Sequence, residues 1–162
     1  MINQIENVNQ LSICLDIIHK SFETVAKKFN FTKENCPRHT SFMPIEKLEE
    51  QFNNGYEMFL YLFNNEYAGF FSLYITDDNS VELNTLGVLP KYRHNGIGKE
   101  IINFSKIYAN NHNCNTIKIS IVEENTQLRK WYESLGFTHT ETKTIPSLPF
   151  TVGYMELILK SS

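Results

Sequence analysis

From Leu11 onward the apolar positions fall at Leu11, Cys14, Leu15, Ile18, Phe22, Val25, Ala26 and Phe29. Spacings of three and four keep one face of a helix apolar, so a long amphipathic helix is predicted here. Met1 to Ile5, ahead of it, has room only for a short strand. Phe31 to Ser41 loses the periodicity and contains Asn35-Cys-Pro37, which reads as a loop. Pro44 suits the first turn of a second helix running to about Asn53, and Gly55 stops it. The period then changes. Tyr56 to Phe63 and Tyr67 to Thr76 are aromatic-rich runs joined by Asn64-Asn65-Glu66, and Asp77-Asp78-Asn79-Ser80 turns the chain into a third run at Val81. Strict alternation along that third strand puts Val81 and Leu83 on one side, and Glu82, Leu86 and Val88 on the other. Pro90, which has no ladder donor, ends it. Ile97, Ile101, Phe104 and Tyr108 return to helical spacing, and Thr116 to Val122 alternates Ile117, Ile119 and Ile121 with Lys118 and Ser120. A helix from Asn125 to Leu135 follows, then strands near Phe137 to Thr144 and Thr151 to Leu159 around Ile145-Pro-Ser-Leu-Pro149. The order is α+β, a mixed, mostly antiparallel sheet of about seven strands flanked by about four helices.

Composition narrows the class without naming a chemistry. At 162 residues and 41% hydrophobic content the chain fits one domain, 1–162, with a core of ordinary size. Met1-Ile-Asn-Gln-Ile-Glu lacks the basic and apolar regions of a signal peptide, and the longest apolar runs are too short to span a bilayer. A cytoplasmic protein with no membrane partner is the expectation. Cys14, Cys36 and Cys114 are odd in number and scattered, which argues against a disulfide framework. Cys36 with His39 and His112 with Cys114 are irregularly spaced pairs with no further ligand pair beside them, so no metal is expected. A formal charge of −3 without a basic stripe points away from nucleic acid.

Local charge runs against that overall balance at one place. Between Gly87 and Lys99 the chain carries Lys91, Arg93 and Lys99 and no acidic residue. Gly96 and Gly98 stand there at the mouth of a predicted helix, whose first-turn N–H groups have no intrahelical partner and favour anions. The segment is built like a phosphate cradle. It is not a dinucleotide fingerprint, because the third glycine position is Ile101, and it is not a P-loop, because the residue after Lys99 is Glu100. Arg93-x-x-Gly96-x-Gly98 after a strand ending Val88-Leu-Pro90 instead resembles the coenzyme A pyrophosphate loop of the GNAT superfamily of N-acetyltransferases. Downstream, Asn125-Thr-Gln-Leu-Arg-Lys-Trp-Tyr132-Glu-Ser-Leu-Gly136-Phe137 is similar to the second signature of that superfamily.

The resemblance implies a GNAT fold over nearly the whole chain, acetyl-CoA as co-substrate, and a role for each motif residue. Residues Arg93, His94, Asn95, Gly96, Ile97 and Gly98 become the pyrophosphate cradle. Leu86, Gly87 and Val88 become the strand end that offers backbone groups to the pantetheine arm, with the Val88 N–H as oxyanion donor. Asn125 contacts CoA, and Tyr132 is the general acid that protonates the departing thiolate. Glu82, eleven residues before Arg93, stands where some histone-type members carry a catalytic glutamate and is the candidate base. Read from the residues alone, each has a plainer explanation. Gly87 and Val88 fit strand packing or a bulge, Asn125 an N-cap, Tyr132 core packing, and Glu82 a solvated strand glutamate. Glu123 and Glu124 read as dipole-favouring or rim residues.

The implied acceptor is a primary amine of a small molecule or peptide, bound between Arg38–Phe42 and Ile145–Phe150, with Arg38 and His39 as candidate carboxylate contacts. Tyr56, Tyr74 and Phe150 are candidates for an aromatic wall. Two other readings stay open on the sequence: a catalytically silent acyl-CoA sensor, and an acyltransferase using another acyl-CoA such as succinyl-CoA. A monomer and a homodimer fit equally.

Overall fold

The computed structural model describes residues 1–160. A seven-stranded sheet runs in the order β1-β2-β3-β4-β5-β7-β6, built from Ile2–Gln4, Glu57–Phe63, Glu66–Ile75, Ser80–Val88, Thr116–Val122, Thr138–Thr144 and Thr151–Ile158 as β1 to β7. Among the described residues four helices flank it: α1 Leu11–Lys28, α2 Ile45–Asn53, α3 Ile97–Asn111 and α4 Thr126–Ser134. Among the described residues, too, only β4 and β5 pair in parallel; the other neighbours are antiparallel. The predicted class and element order therefore hold, with ends shifted by a residue or two. A short 3-10 turn at Val8–Gln10 precedes α1, capped reciprocally by Asn7 and Gln10. That capping box explains why the helix begins where it does.

Two apolar layers sandwich the sheet. Phe59, Phe71, Leu73, Val81 and Leu83 pack with Ile97, Ile101 and Ile102 of α3 and with Tyr132 of α4. On the opposite face Met58, Leu60 and Phe70 pack with Leu11, Cys14 and Ile18 of α1 and Leu48 of α2. Alternate residues of β2 and β3 thus serve opposite layers, the period-2 consequence of a sheet covered on both sides. A smaller cluster of Ala26, Phe31 and Cys36 draws in Val122, Leu148 and Phe150, so the loop after α1 meets the β6–β7 turn.

Strict alternation fails in β4. Phe70 pairs with Gly87 while Ser72 pairs with Asn84, so β4 carries one residue more than β3 across that interval. Thr85 takes up the extra residue at φ 55. This bulge resets the phase. Leu86 and Val88 pack into the same layer as Val81 and Leu83, whereas Glu82, Asn84 and Gly87 face the side of α1, opposite Tyr74, Ser72 and Phe70. The expectation that Glu82 shares a face with Leu86 and Val88 is thereby overturned.

Candidate active site

β4 and β5 pair only from Ser80–Glu82 to Thr116–Lys118 and then part. Into the resulting V opens a cleft of about 700 Å³, lined by Leu86, Gly87, Val88, Arg93, His94, Gly96, Ile97, Gly98, Asn125 and Tyr132. Ten of the residues singled out in the sequence thus come together from four separate elements. α1 supplies a wall that no motif announced: Ser21, Phe22, Thr24, Val25 and Lys28. Trp131 and Leu128 of α4 complete it.

The floor of the cradle is the start of α3. Gly96 is its N-cap at φ 76, and no side chain caps this end. The first backbone bond closes from Glu100 N–H to Gly96 O at 3.1 Å, which leaves the N–H groups of Ile97, Gly98 and Lys99 without a helical partner. α4 is different, since the Asn125 side chain accepts from Leu128 N–H at 3.4 Å. The uncapped end therefore combines free donors, the positive end of the helix dipole, and Lys99, Lys28 and Arg93 around one cavity. Asn95 does not line the cleft; its amide bonds Tyr92 O at 2.9 Å and Arg93 O at 3.2 Å, shaping the loop from within.

Two glycines turn out to be demanded by packing. A Cβ on Gly98 would lie 2.8 Å from Trp131 Cζ2, and one on Gly87 would lie 2.7 Å from Ser21 Cβ. What approaches Gly87 closely in this structure is helix α1. Arg93 is also committed to the protein. Its Nε donates to Val88 O at 3.0 Å, Nη1 to Thr24 Oγ1 at 3.1 Å and Nη2 to Ser21 O at 2.8 Å. No carboxylate meets it within ion-pair distance among the described residues, and burial holds its pKa below the ordinary arginine value. A half-buried cation with only neutral acceptors raises the potential of the cleft toward anions.

Tyr132 is buried, its ring edge-on to Trp131 at 4.8 Å and to Phe137 at 5.2 Å between centroids. Burial pushes its phenol well above the ordinary range, so at neutral pH the group keeps its proton. Packing residue and cleft residue are one and the same here.

Glu82 lies elsewhere. It stands on the last paired residue of β4, at the apex of the V, in a second groove of about 480 Å³ with Asn84, Lys118, Ser120, Tyr154 and Glu156. Lys118 is held by Asp78 at 2.7 Å. Tyr74, opposite Glu82 on β3, stacks on Tyr56 at 4.5 Å, and Tyr56 is raised above the ordinary phenol range by burial and then by the charge of Glu82. Glu123 and Glu124 serve the frame. Glu123 meets Arg129 at 3.0 Å and His139 at 2.9 Å, and Glu124 accepts from Thr151 N–H.

Of the two segments expected to flank an acceptor, Phe150 packs on Phe31 at 5.2 Å, and Phe31 in turn packs on His39 at 5.1 Å, so Phe31 stands between them. His39 is buried among Phe22, Phe31 and Phe42, and its Nδ1 accepts from Ser41 N–H. Burial lowers its pKa, so the ring is neutral and poorly suited to balance a carboxylate.

Residues 21–137 match the model of the acetyltransferase (GNAT) family. The chain belongs to that family. Among solved structures, this GNAT chain is similar to the ribosomal-protein-S18-alanine N-acetyltransferase of Escherichia coli, with 16% identity and a TM-score of 0.77 over 100% of this chain and 95% of that one. A GNAT-family acetyltransferase from Staphylococcus aureus Mu50 matches at 21% identity and TM-score 0.71, over 99% and 100%. An acetyltransferase from Bacillus anthracis, solved in complex with acetyl coenzyme A, matches at 24% identity and TM-score 0.61 over 65% of this chain and 63% of that one. This chain spans less than two thirds of that protein. At these identities the likeness shows the shared fold. Among the described residues no helix is long and apolar enough to cross a membrane.

Proposed function

We propose that this GNAT-family chain transfers the acetyl group of acetyl-CoA to a primary amine of a small molecule or peptide by direct attack in a ternary complex. One observation carries the reading: the uncapped, basic start of α3 opens on the same cleft as the unpaired edge of β4 and the protonated phenol of Tyr132. An acyl-CoA needs these things in that order, an anion site for its pyrophosphate, donors for its arm and carbonyl, and an acid at its sulfur.

The N–H groups of Ile97, Gly98 and Lys99 bind the pyrophosphate, in the field of Arg93, Lys99 and Lys28. Leu89 N–H bonds Ala68 O in β3 at 2.8 Å, so by strand alternation the N–H and C=O of Val88 point the other way, into the V. That N–H is the oxyanion donor, fixed where negative charge develops on the thioester oxygen. The amine nitrogen attacks the carbonyl carbon, the C–S bond breaks, the sulfur takes the Tyr132 proton, and the extra proton shed by the new amide nitrogen restores the phenol. A phenol held above the ordinary value of about 10 by burial can protonate a thiolate of pKa about 8.5 only because the transfer is coupled to bond cleavage, and the modest basicity of the thiolate limits what the acid contributes. An alkylammonium of pKa about 10.4 must first lose a proton. Glu82 is the proposed base, acting from the apex of the V on an amine that enters from its own groove.

The test is thiol release from acetyl-CoA across polyamines, aminoglycosides, amino acids and N-terminal peptides. Amine-dependent release supports the proposal. Tight binding with background hydrolysis only would make the chain an acyl-CoA sensor, and faster turnover of succinyl-CoA would change the donor.

A further inference from the structure

The sequence casts Arg93 as a fixed charge for the pyrophosphate, yet each of its three nitrogens already bonds the protein, which uses three of its five N–H donors. Its Nε bonds the carbonyl of Val88, the residue whose N–H points into the V on the same strand edge. Its other two nitrogens bond Thr24 Oγ1 and Ser21 O, one turn of α1. Beyond Glu82, β4 has lost β5 as a neighbour, so nothing in the sheet holds that edge. α1 supplies the replacement. It presses so closely that Gly87 has no room for a Cβ, and Arg93 bridges the two elements immediately beside this contact.

We propose that Arg93 is a positioning residue: a three-point latch from the β4–α3 loop to α1 that fixes the Val88 peptide, and with it the oxyanion donor, in the splayed strand. The inference rests on the reading of the cleft as an acetyl-CoA site. It assigns the anion attraction chiefly to the α3 N-terminus with Lys99 and Lys28, and it gives Arg93 a geometric task that only a planar fork can perform. A lysine retains the charge but cannot span Val88 O, Ser21 O and Thr24 Oγ1 together.

Arg93→Lys and Arg93→Met separate charge from geometry. The probe is acetyl-CoA labelled with ¹³C at the thioester carbonyl, which needs no amine acceptor. Affinity is read from the fluorescence of Trp131, the single tryptophan and a cleft residue. In the wild-type protein the bound carbonyl should move downfield as the Val88 N–H polarises it. Under the latch, both variants lose most of that shift, Arg93→Lys keeps acetyl-CoA affinity within about threefold, and amide exchange quickens at Ser21 to Val25. If Arg93→Lys retains the shift and only Arg93→Met loses affinity, Arg93 is a plain counter-ion and the latch is wrong. If both variants lose thermal stability and binding together, with a normal carbonyl shift in the fraction that binds, the role is structural and the latch is again overturned. Failure of the wild-type protein to bind acetyl-CoA at all would instead remove the site reading itself.

Discussion

A residue can be core and chemistry at once, and Tyr132 shows what separates the two. Its ring packs against Trp131 and Phe137 whatever its hydroxyl does. Tyr132→Phe keeps that packing and removes only the acid, so the thermal melt should change little. Turnover should drop, toward the small end of the ~10²–10⁴-fold expected for a lost general acid, because the thiolate leaves readily. Unchanged steady-state turnover would make the phenol a packing group. Because burial raises the phenol pKa, its acid form persists through pH 10, and activity should show a rising limb from amine deprotonation without a falling limb below that pH. Glu82→Gln probes the other end of the reaction. If Glu82 takes the proton from the amine, the variant loses most at neutral pH and recovers as pH rises and free amine accumulates; a loss equal at every pH would assign Glu82 to binding or structure.

Among the elements, α3 carries the clearest demand on its first residues. Gly96 is left-handed at φ 76 with open space where a Cβ would stand, so the obstacle to substitution is backbone strain alone. Gly96→Ala should destabilise the fold by about 1–2 kcal/mol, and Gly96→Asn by less, since Asn tolerates this conformation. Urea unfolding of the two variants measures the difference, and equal losses would show that strain is not the cause. Gly98 is constrained by its neighbour instead. Gly98→Ala drives a methyl against Trp131, so the Trp131 emission should shift and acetyl-CoA affinity fall even where stability is kept.

For the whole molecule, ligand binding and stability are linked through the same wedge of space. The cleft is walled by α1 from one layer and α4 from the other, so a ligand seated there bridges both halves of the fold. Acetyl-CoA at a hundred times its dissociation constant should add about 2.7 kcal/mol, which for a chain of this size is a rise of roughly 5–10 °C in Tm. Differential scanning fluorimetry without dye, read from Trp131, measures it. Absence of a shift at saturating concentration would contradict the cleft assignment.

Periodicity along the chain determined α1, α3 and β5, and turn and stop residues such as Pro44, Gly55 and Pro90 bounded their neighbours, because a sheet covered on both faces forces a period of two and an amphipathic helix a period of 3.6. The local motifs likewise determined the cradle: Gly96, the free N–H groups behind it and the surrounding basic side chains are consequences of adjacent residues. Most of the proposed site was legible for that reason. The side that Glu82 faces was not, since one extra residue at Thr85 inverts the alternation and nothing in Glu82-Leu-Asn-Thr-Leu-Gly87 marks a bulge beyond its glycine. Nor was the α1 wall, because Ser21, Thr24 and Lys28 lie some seventy residues before the motif they serve, on the polar margin of an ordinary amphipathic helix. The partners of Arg93 depended on both. A side chain's charge is fixed by its own chemistry, but what that charge binds is set by which backbone groups the packing of distant elements leaves unpaired, and here only the tertiary structure placed Val88 O, Ser21 O and Thr24 Oγ1 within its reach.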